Sequence, residues 1–206
     1  MNPFTLEGRH VRLEPLGEQH ADGLAAASAG DPALYQWSPV PRGEAEVRRY
    51  IDTAIGLNKA GSAVPFAIIR RSDGEVVGST RFWNLEHWLW PPGHAMNGAH
   101  AVDACEIGYT WLARSAIRTA INTEAKFLML SHAFETWRAL RVCLHTDARN
   151  LRSRAAMERL GASYEGTLRA HRLAADFTAR DSLRFSFLAE EWPAIKQKLE
   201  NHVNRE

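Results

Sequence analysis

The sequence predicts an α/β fold, read as one domain over residues 1–206 around a central mixed sheet. Three observations carry this. Short apolar, β-branched runs alternate along the chain with longer amphipathic segments, the pattern of strands interleaved with helices. Residues 106–122, EIGYTWLARSAIRTAIN, run from a strand pattern through a polar loop into the start of a helix. A chain of 206 residues suffices for one well-buried core and is short for two, and no internal repeat or low-complexity linker divides it.

Taken in order, residues 9–16 alternate with Val11 and Leu13 on one face, a first strand. Residues 22–28 form a short alanine-rich helix ended by Gly30 and Pro32. Residues 44–59 place Val47, Tyr50, Ile51, Ala54, Ile55 and Asn58 at helical spacing, and Gly61 closes that helix. Residues 66–70 and 75–82 are apolar runs around Ser72-Asp73-Gly74, a hairpin. Residues 83–104 are irregular and rich in Trp and His, with a Pro-Pro-Gly corner and an Asn-Gly. Either Trp83, Trp88 and Trp90 pack over a site as a lid, or they pin a surface excursion. His87, His94 and His100 lack the spacing of a ligand set, so no metal is expected.

Beyond the central stretch, residues 123–138 carry Ala125, Leu128, Met129, His132 and Ala133 at helical periodicity. Residues 140–146 alternate Val142, Leu144 and Thr146 against Cys143 and His145, a strand. Residues 150–160 form a helix with Asn150 as N-cap and Gly161 as its stop. Residues 163–168 and 183–188 supply two last strands, and residues 190–202 a final helix begun near Pro193.

Composition excludes several classes. A formal net charge of +1, with 25 basic and 24 acidic residues, gives no electrostatic footprint for nucleic acid or a membrane surface. Cys105 and Cys143 have no CxxC spacing and read as small core residues rather than a disulfide or a zinc site. No apolar run of spanning length and no signal-peptide pattern is present, so the cytoplasm is the expected location. From the residues alone, the loop after residue 112, with Arg114 and Arg118 nearby, is open to two readings. It is a phosphate seat at a helix N-terminus, or an ordinary connection with solvated arginines.

The motifs EIGYTWLARSAIRTAINTEAK, HAFETWRALRVCLHTDARNLRSRAAMERLGA and EGTLRAHR, in that order, resemble the Gcn5-related N-acetyltransferase (GNAT) superfamily. More narrowly they resemble the branch holding the ribosomal-protein N-terminal (alanine and serine) acetyltransferases, over about residues 6–199. The resemblance implies a mostly antiparallel twisted sheet of about seven strands, flanked by helices. Its fourth and fifth strands, residues 106–112 and 140–147, splay apart to hold acetyl-CoA. It implies acetyl transfer to a primary amine, a protein N-terminus or a small molecule, by direct attack and without a metal; many relatives are dimers.

The same resemblance assigns residues. Thr110 and Leu112 would bind pantetheine through their backbone, as an added strand would. The pyrophosphate slots are Ile117, Arg118, Thr119, Ala120, Ile121 and Asn122; both usual glycines are absent, and Asn122 is the residue suited to a left-handed turn or a cap. Asn150 lies with the coenzyme. Ser153 replaces the more common tyrosine, whose position is Met157, as donor to the departing thiolate. Glu106 matches a general base, with His145 and His171 as other candidates. Ile117, Ala120 and Met157 also support an alternative, a binding or regulatory protein with a degenerate pyrophosphate loop.

Overall fold

The computed structural model describes residues 3–203. Its strands are β1 (Leu6–Glu7), β2 (Val11–Pro15), β3 (Ala63–Arg70), β4 (Val76–Glu86), β5 (Ala104–Leu112), β6 (Arg141–Asp147), β7 (Ser163–Leu173) and β8 (Ala179–Leu188). Its helices are α1 (Ala21–Ser28), α2 (Gly43–Lys59), α3 (Ala120–Ser131), α4 (Leu151–Leu160) and α5 (Trp192–Val203). The strands form one sheet in the order β1-β2-β3-β4-β5-β6-β8-β7. Every neighbouring pair is antiparallel except β5 with β6.

The expected mixed, mostly antiparallel sheet is present with eight strands rather than about seven. The extra strand is β1, two residues paired with Arg12 and Leu13. The strand period of two sorts the core onto the two faces. Phe66, Ile68, Phe82, Ile107, Val142, Leu144 and Phe185 meet Met129 and Leu130 of α3 and Leu199 of α5. Ala67, Ile69 and Trp111 face the other way, onto Leu24 of α1 and Val47 and Ile51 of α2.

Several boundaries move. Helix α3 begins at Ala120, three residues before the periodic stretch, and its last turn widens into a π-turn over His132–Thr136. Strand β4 continues through Trp83 to Glu86, so the irregular segment begins later than residue 83. Strands β7 and β8 extend toward each other as far as Leu173 and Ala179. Among the described residues no helix is long and apolar enough to cross a membrane.

One buried carboxylate ties α3 to the start of the sheet. Glu124 accepts from the backbone N–H groups of Arg9, His10 and Val11 at 2.7, 2.6 and 2.8 Å. A Cβ at Gly8 would lie 2.4 Å from Glu124 Cδ, so that turn must present bare backbone. Glu124→Ala strands three amide donors and is expected to destabilise the fold by about 3 kcal/mol in chemical denaturation. A midpoint unchanged from the parent would show that water satisfies these amides.

Candidate active site

The sheet opens where β5 and β6 part. Their parallel ladder holds only Ala104 with Arg141, Cys105 with Val142 and Glu106 with Cys143. Beyond that rung β5 stays with β4 and β6 stays with β8. A bulge accompanies the opening. Gly108 is opposite Arg81 and Trp111 opposite Ser79, so β5 spends one more residue than β4, and Tyr109 takes φ 53°.

The bulge leaves Tyr109 beside Arg81 and turns Thr110 toward α3, where Lys126 Nζ donates to its Oγ1 at 2.6 Å. Thr80 Oγ1 completes this contact at 2.8 Å from Thr110 and 3.2 Å from Lys126. Lys126 is wholly enclosed, and burial pulls its amine down to about 7. The Leu112 carbonyl accepts from Tyr35 Oη at 3.0 Å, which uses one of its two lone pairs.

The chain then makes a single 3₁₀ turn over Arg114–Ala116 and enters α3. Ile117 is extended, Arg118 is left-handed at φ 63°, and Thr119 caps the helix, its Oγ1 accepting from Ile121 N–H at 3.3 Å. This corrects the expectation for Asn122, which is neither the left-handed residue nor the cap and lies inside the first turn of α3. Ala120 is the first helical residue and lies outside the positive-φ set, so its methyl demands no glycine-like backbone. Beside the turn opens a cavity of about 760 Å³, lined by Arg9, His10, Arg70, Arg71, Ser72 and residues 118–121. Arg70 is paired with Asp73 and Glu75. Among the described residues Arg9, Arg71 and Arg118 have no carboxylate partner, and the N-terminal residues of α3 line the same cavity.

Across the opening, Asn150 is the N-cap of α4, its Oδ1 accepting from Ser153 N–H at 3.0 Å, and Gly161 closes the helix at φ 92°. Ser153 therefore stands in the first turn, just beyond the end of β6. Met157, at the position of the family's tyrosine, is buried in the core.

The face toward α2 carries a polar cluster. Glu106 is 3 % exposed and receives Arg172 through both carboxylate oxygens, at 3.2 and 3.0 Å. His145 Nδ1 lies 2.9 Å from Glu106 Oε2, an ion-pair contact without hydrogen-bond alignment, and His145 Nε2 has no partner. Burial pushes the Glu106 carboxyl up, but His145 and Arg172 outweigh it and hold the group below the usual carboxylate range. Arg172 reaches this point because β7 bulges between Leu168 and Arg172, with Ala170 left-handed, curling the β7–β8 hairpin over the sheet. It also stacks on Trp83, 4.3 Å from the ring. The His171 ring lies 5.1 Å from that of His145, and burial and Arg172 lower its proton affinity.

Of the three tryptophans only Trp83 stands in this cluster. Trp88 N–H and Trp90 Nε1 both donate to Asp103 at 2.8 Å, and Leu89 between them is fully exposed. The segment is therefore a surface excursion pinned by its tryptophans. His94 stacks on Trp90, while His100 Nδ1 contacts the Arg138 carbonyl. Among the described residues no three His, Cys, Asp or Glu side chains converge on a point where a metal could sit.

Sequence reasoning missed Arg81, Lys126 and Arg172. Arg81 lies in a recognised strand, and alternation gave it no role; Arg172 lies past the expected end of β7. Lys126 sits in a helical stripe whose partners are 46 and 16 residues away.

A family model described as an acetyltransferase (GNAT) domain matches residues 10–163, well over half the chain. The chain belongs to the GNAT acetyltransferases. A GCN5-related N-acetyltransferase from Brucella melitensis is 30% identical over 98% of this chain and 86% of that one, with a TM-score of 0.83. Mycobacterium smegmatis RimJ, solved with CoA-disulfide, is 24% identical over 98% of this chain and 97% of its own, with a TM-score of 0.80. RimL, a ribosomal L7/L12 α-N-protein acetyltransferase, shares the fold at 19% identity and a TM-score of 0.73, over 91% of this chain and 96% of its own. No protein of curated function matches. As a GNAT member the chain is an acetyl-CoA-dependent N-acetyltransferase.

Proposed function

We propose that this GNAT enzyme acetylates a primary amine by direct attack, in the cytoplasm, with the coenzyme in the β5–β6 opening and the amine at the Glu106–His145 cluster. The observation that carries the reading is the end of the β5–β6 ladder at Glu106 and Cys143, beside that cluster. The backbone of Thr110 and Leu112 suits pantetheine, and the α3 N-terminus with Arg118 suits the pyrophosphate. Acetyl-CoA supplies the thioester carbonyl that is attacked and the thiolate that leaves.

The chain's own groups take the remaining roles. The Thr110 N–H polarises the carbonyl oxygen, and Ser153 Oγ–H donates to the departing sulfur. The amine proton passes to the His145 imidazole, with Glu106 behind it. Glu106 itself, held ionised by Arg172, serves better to orient and stabilise that imidazole than to take the proton. The alternative of a coenzyme-free binding protein is weakened at Ala120, whose helical backbone removes the need for glycine.

The acceptor is a protein N-terminus, the class named for RimL, or a small-molecule amine. The test is coenzyme-thiol release with a panel of both, and mass spectrometry of the products. Ser153→Ala is expected to slow turnover at least ~10-fold with acetyl-CoA affinity retained; equal rates would remove Ser153 from the reaction.

A further inference from the structure

We propose that the amine accepted here also carries a carboxylate, and that Arg81 binds it. The proposal rests on the acyl-transfer reading above and names the class of acceptor. Arg81 is 2 % exposed, held between the rings of Tyr50 and Tyr109 at 5.0 and 4.2 Å. Its Nε has no hydrogen-bond partner, and no carboxylate among the described residues pairs with it. The two buried carboxylates on this face are matched, Glu106 by Arg172 and Asp147 by Arg149, while the half-buried Arg180 donates to Ser182. A cation taken out of water without a counter-charge is costly, and contact with two aromatic rings returns only part of that cost.

The surroundings reinforce the need for an anion. Trp83 Nε1 is a second buried donor without a partner. Gly108, opposite Arg81, leaves the strip between them bare: a Cβ there would come within 2.9 Å of Trp83 Nε1 and 3.4 Å of Glu106 Oε1. Glu106 is already engaged by Arg172 and His145, so the strip offers donors and no free acceptor. With so little guanidinium surface open, a planar carboxylate approaching edge-on suits it better than a bulkier phosphate. Arg81 and Glu106 are diagonal neighbours on β4 and β5, ~7–8 Å apart along the sheet by ordinary strand geometry. The carboxylate therefore lies a few bonds from the amine. A free amino acid carries one at that distance, and so does a peptide N-terminus with an acidic residue among its first positions.

The experiment compares matched acceptors in the thiol-release assay, with the parent, Arg81→Met and Arg81→Lys. One arm sets amino acids against their amides. The other sets short peptides with Asp or Glu in the first three positions against Asn or Gln. In one arm or the other, the parent is expected to favour the carboxylate member at least ~10-fold in kcat/KM. Arg81→Met should abolish the preference, and Arg81→Lys should keep part of it. The arm that shows the preference identifies the source. Thermal melts give a second readout: the favoured carboxylates raise the melting temperature of the parent and not of Arg81→Met, while the free Arg81→Met protein melts at or above the parent. If Arg81→Met does not fold, Arg81→Lys carries the comparison.

A parent that acetylates neutral and acidic members alike overturns the Arg81 proposal and leaves acyl transfer standing. A parent that binds acetyl-CoA but acetylates no amine overturns the transfer reading. The melts then decide Arg81, and equal melting temperatures with and without the carboxylates overturn it too.

Discussion

His145→Gln is expected to lower kcat about 100-fold or more while acetyl-CoA affinity stays within a few-fold. The attacking amine must shed a proton, and the groups available at the cluster differ in fitness. Glu106 is held ionised by Arg172, which makes it a weak proton acceptor. His145 lies against that carboxylate with Nε2 unpartnered, which leaves that nitrogen open to the amine proton. Glutamine keeps much of the volume and cannot take the proton. Weakly basic amines, already neutral at pH 7, should lose less than strongly basic ones, which a mere packing defect would not produce. Full activity in His145→Gln together with its loss in His171→Gln would move the proton acceptor to His171.

Lys126→Met is expected to stabilise the protein by about 3 kcal/mol at pH 7. Burial moves this amine from 10.5 to about 7, a shift that corresponds to about 5 kcal/mol; part is returned when Thr80 and Thr110 lose their donor, though they keep each other at 2.8 Å. The pH dependence has a definite sign. Between pH 7 and 10.5 the unfolded chain holds this proton and the native one does not, so raising pH through that window favours folding. Parent stability should climb across it, and the variant should be flatter. A destabilised variant, or identical slopes, would mean that Lys126 is stabilised as an ammonium by the two threonines. The residue sits directly beneath the bulge at Thr110, so retaining a costly amine there fits a part in fixing that strand.

How legible these features were in the sequence depended on how local their physics is. Asn150 as N-cap and Gly161 as stop follow from side chains bonding within one turn, and both are found as expected. The long strands and helices announce themselves by period. Strand β1 is too short to show one, and the ends of β7 and β8 mix charged with apolar residues because much of that hairpin faces solvent. The turn before α3 could be placed but not shaped. Asn122 drew the left-handed assignment by residue type, whereas the chain puts it on Arg118, which nothing in the residue itself favours. The Glu106 face was the least legible, because Arg81 meets Tyr109 only through a bulge whose left-handed residue is a tyrosine, and Arg172 meets Glu106 only because the hairpin curls.

On the proposed function, a turn without the family's glycines holds the coenzyme, because its left-handed residue is Arg118 and Ala120 is already helical. Calorimetric titration with acetyl-CoA, with free coenzyme A alongside, tests this most directly. Micromolar, near-stoichiometric binding is the expected result. No heat of binding up to millimolar coenzyme would contradict the account, since neither the β5–β6 opening nor the α3 N-terminus would then serve the ligand assigned to it.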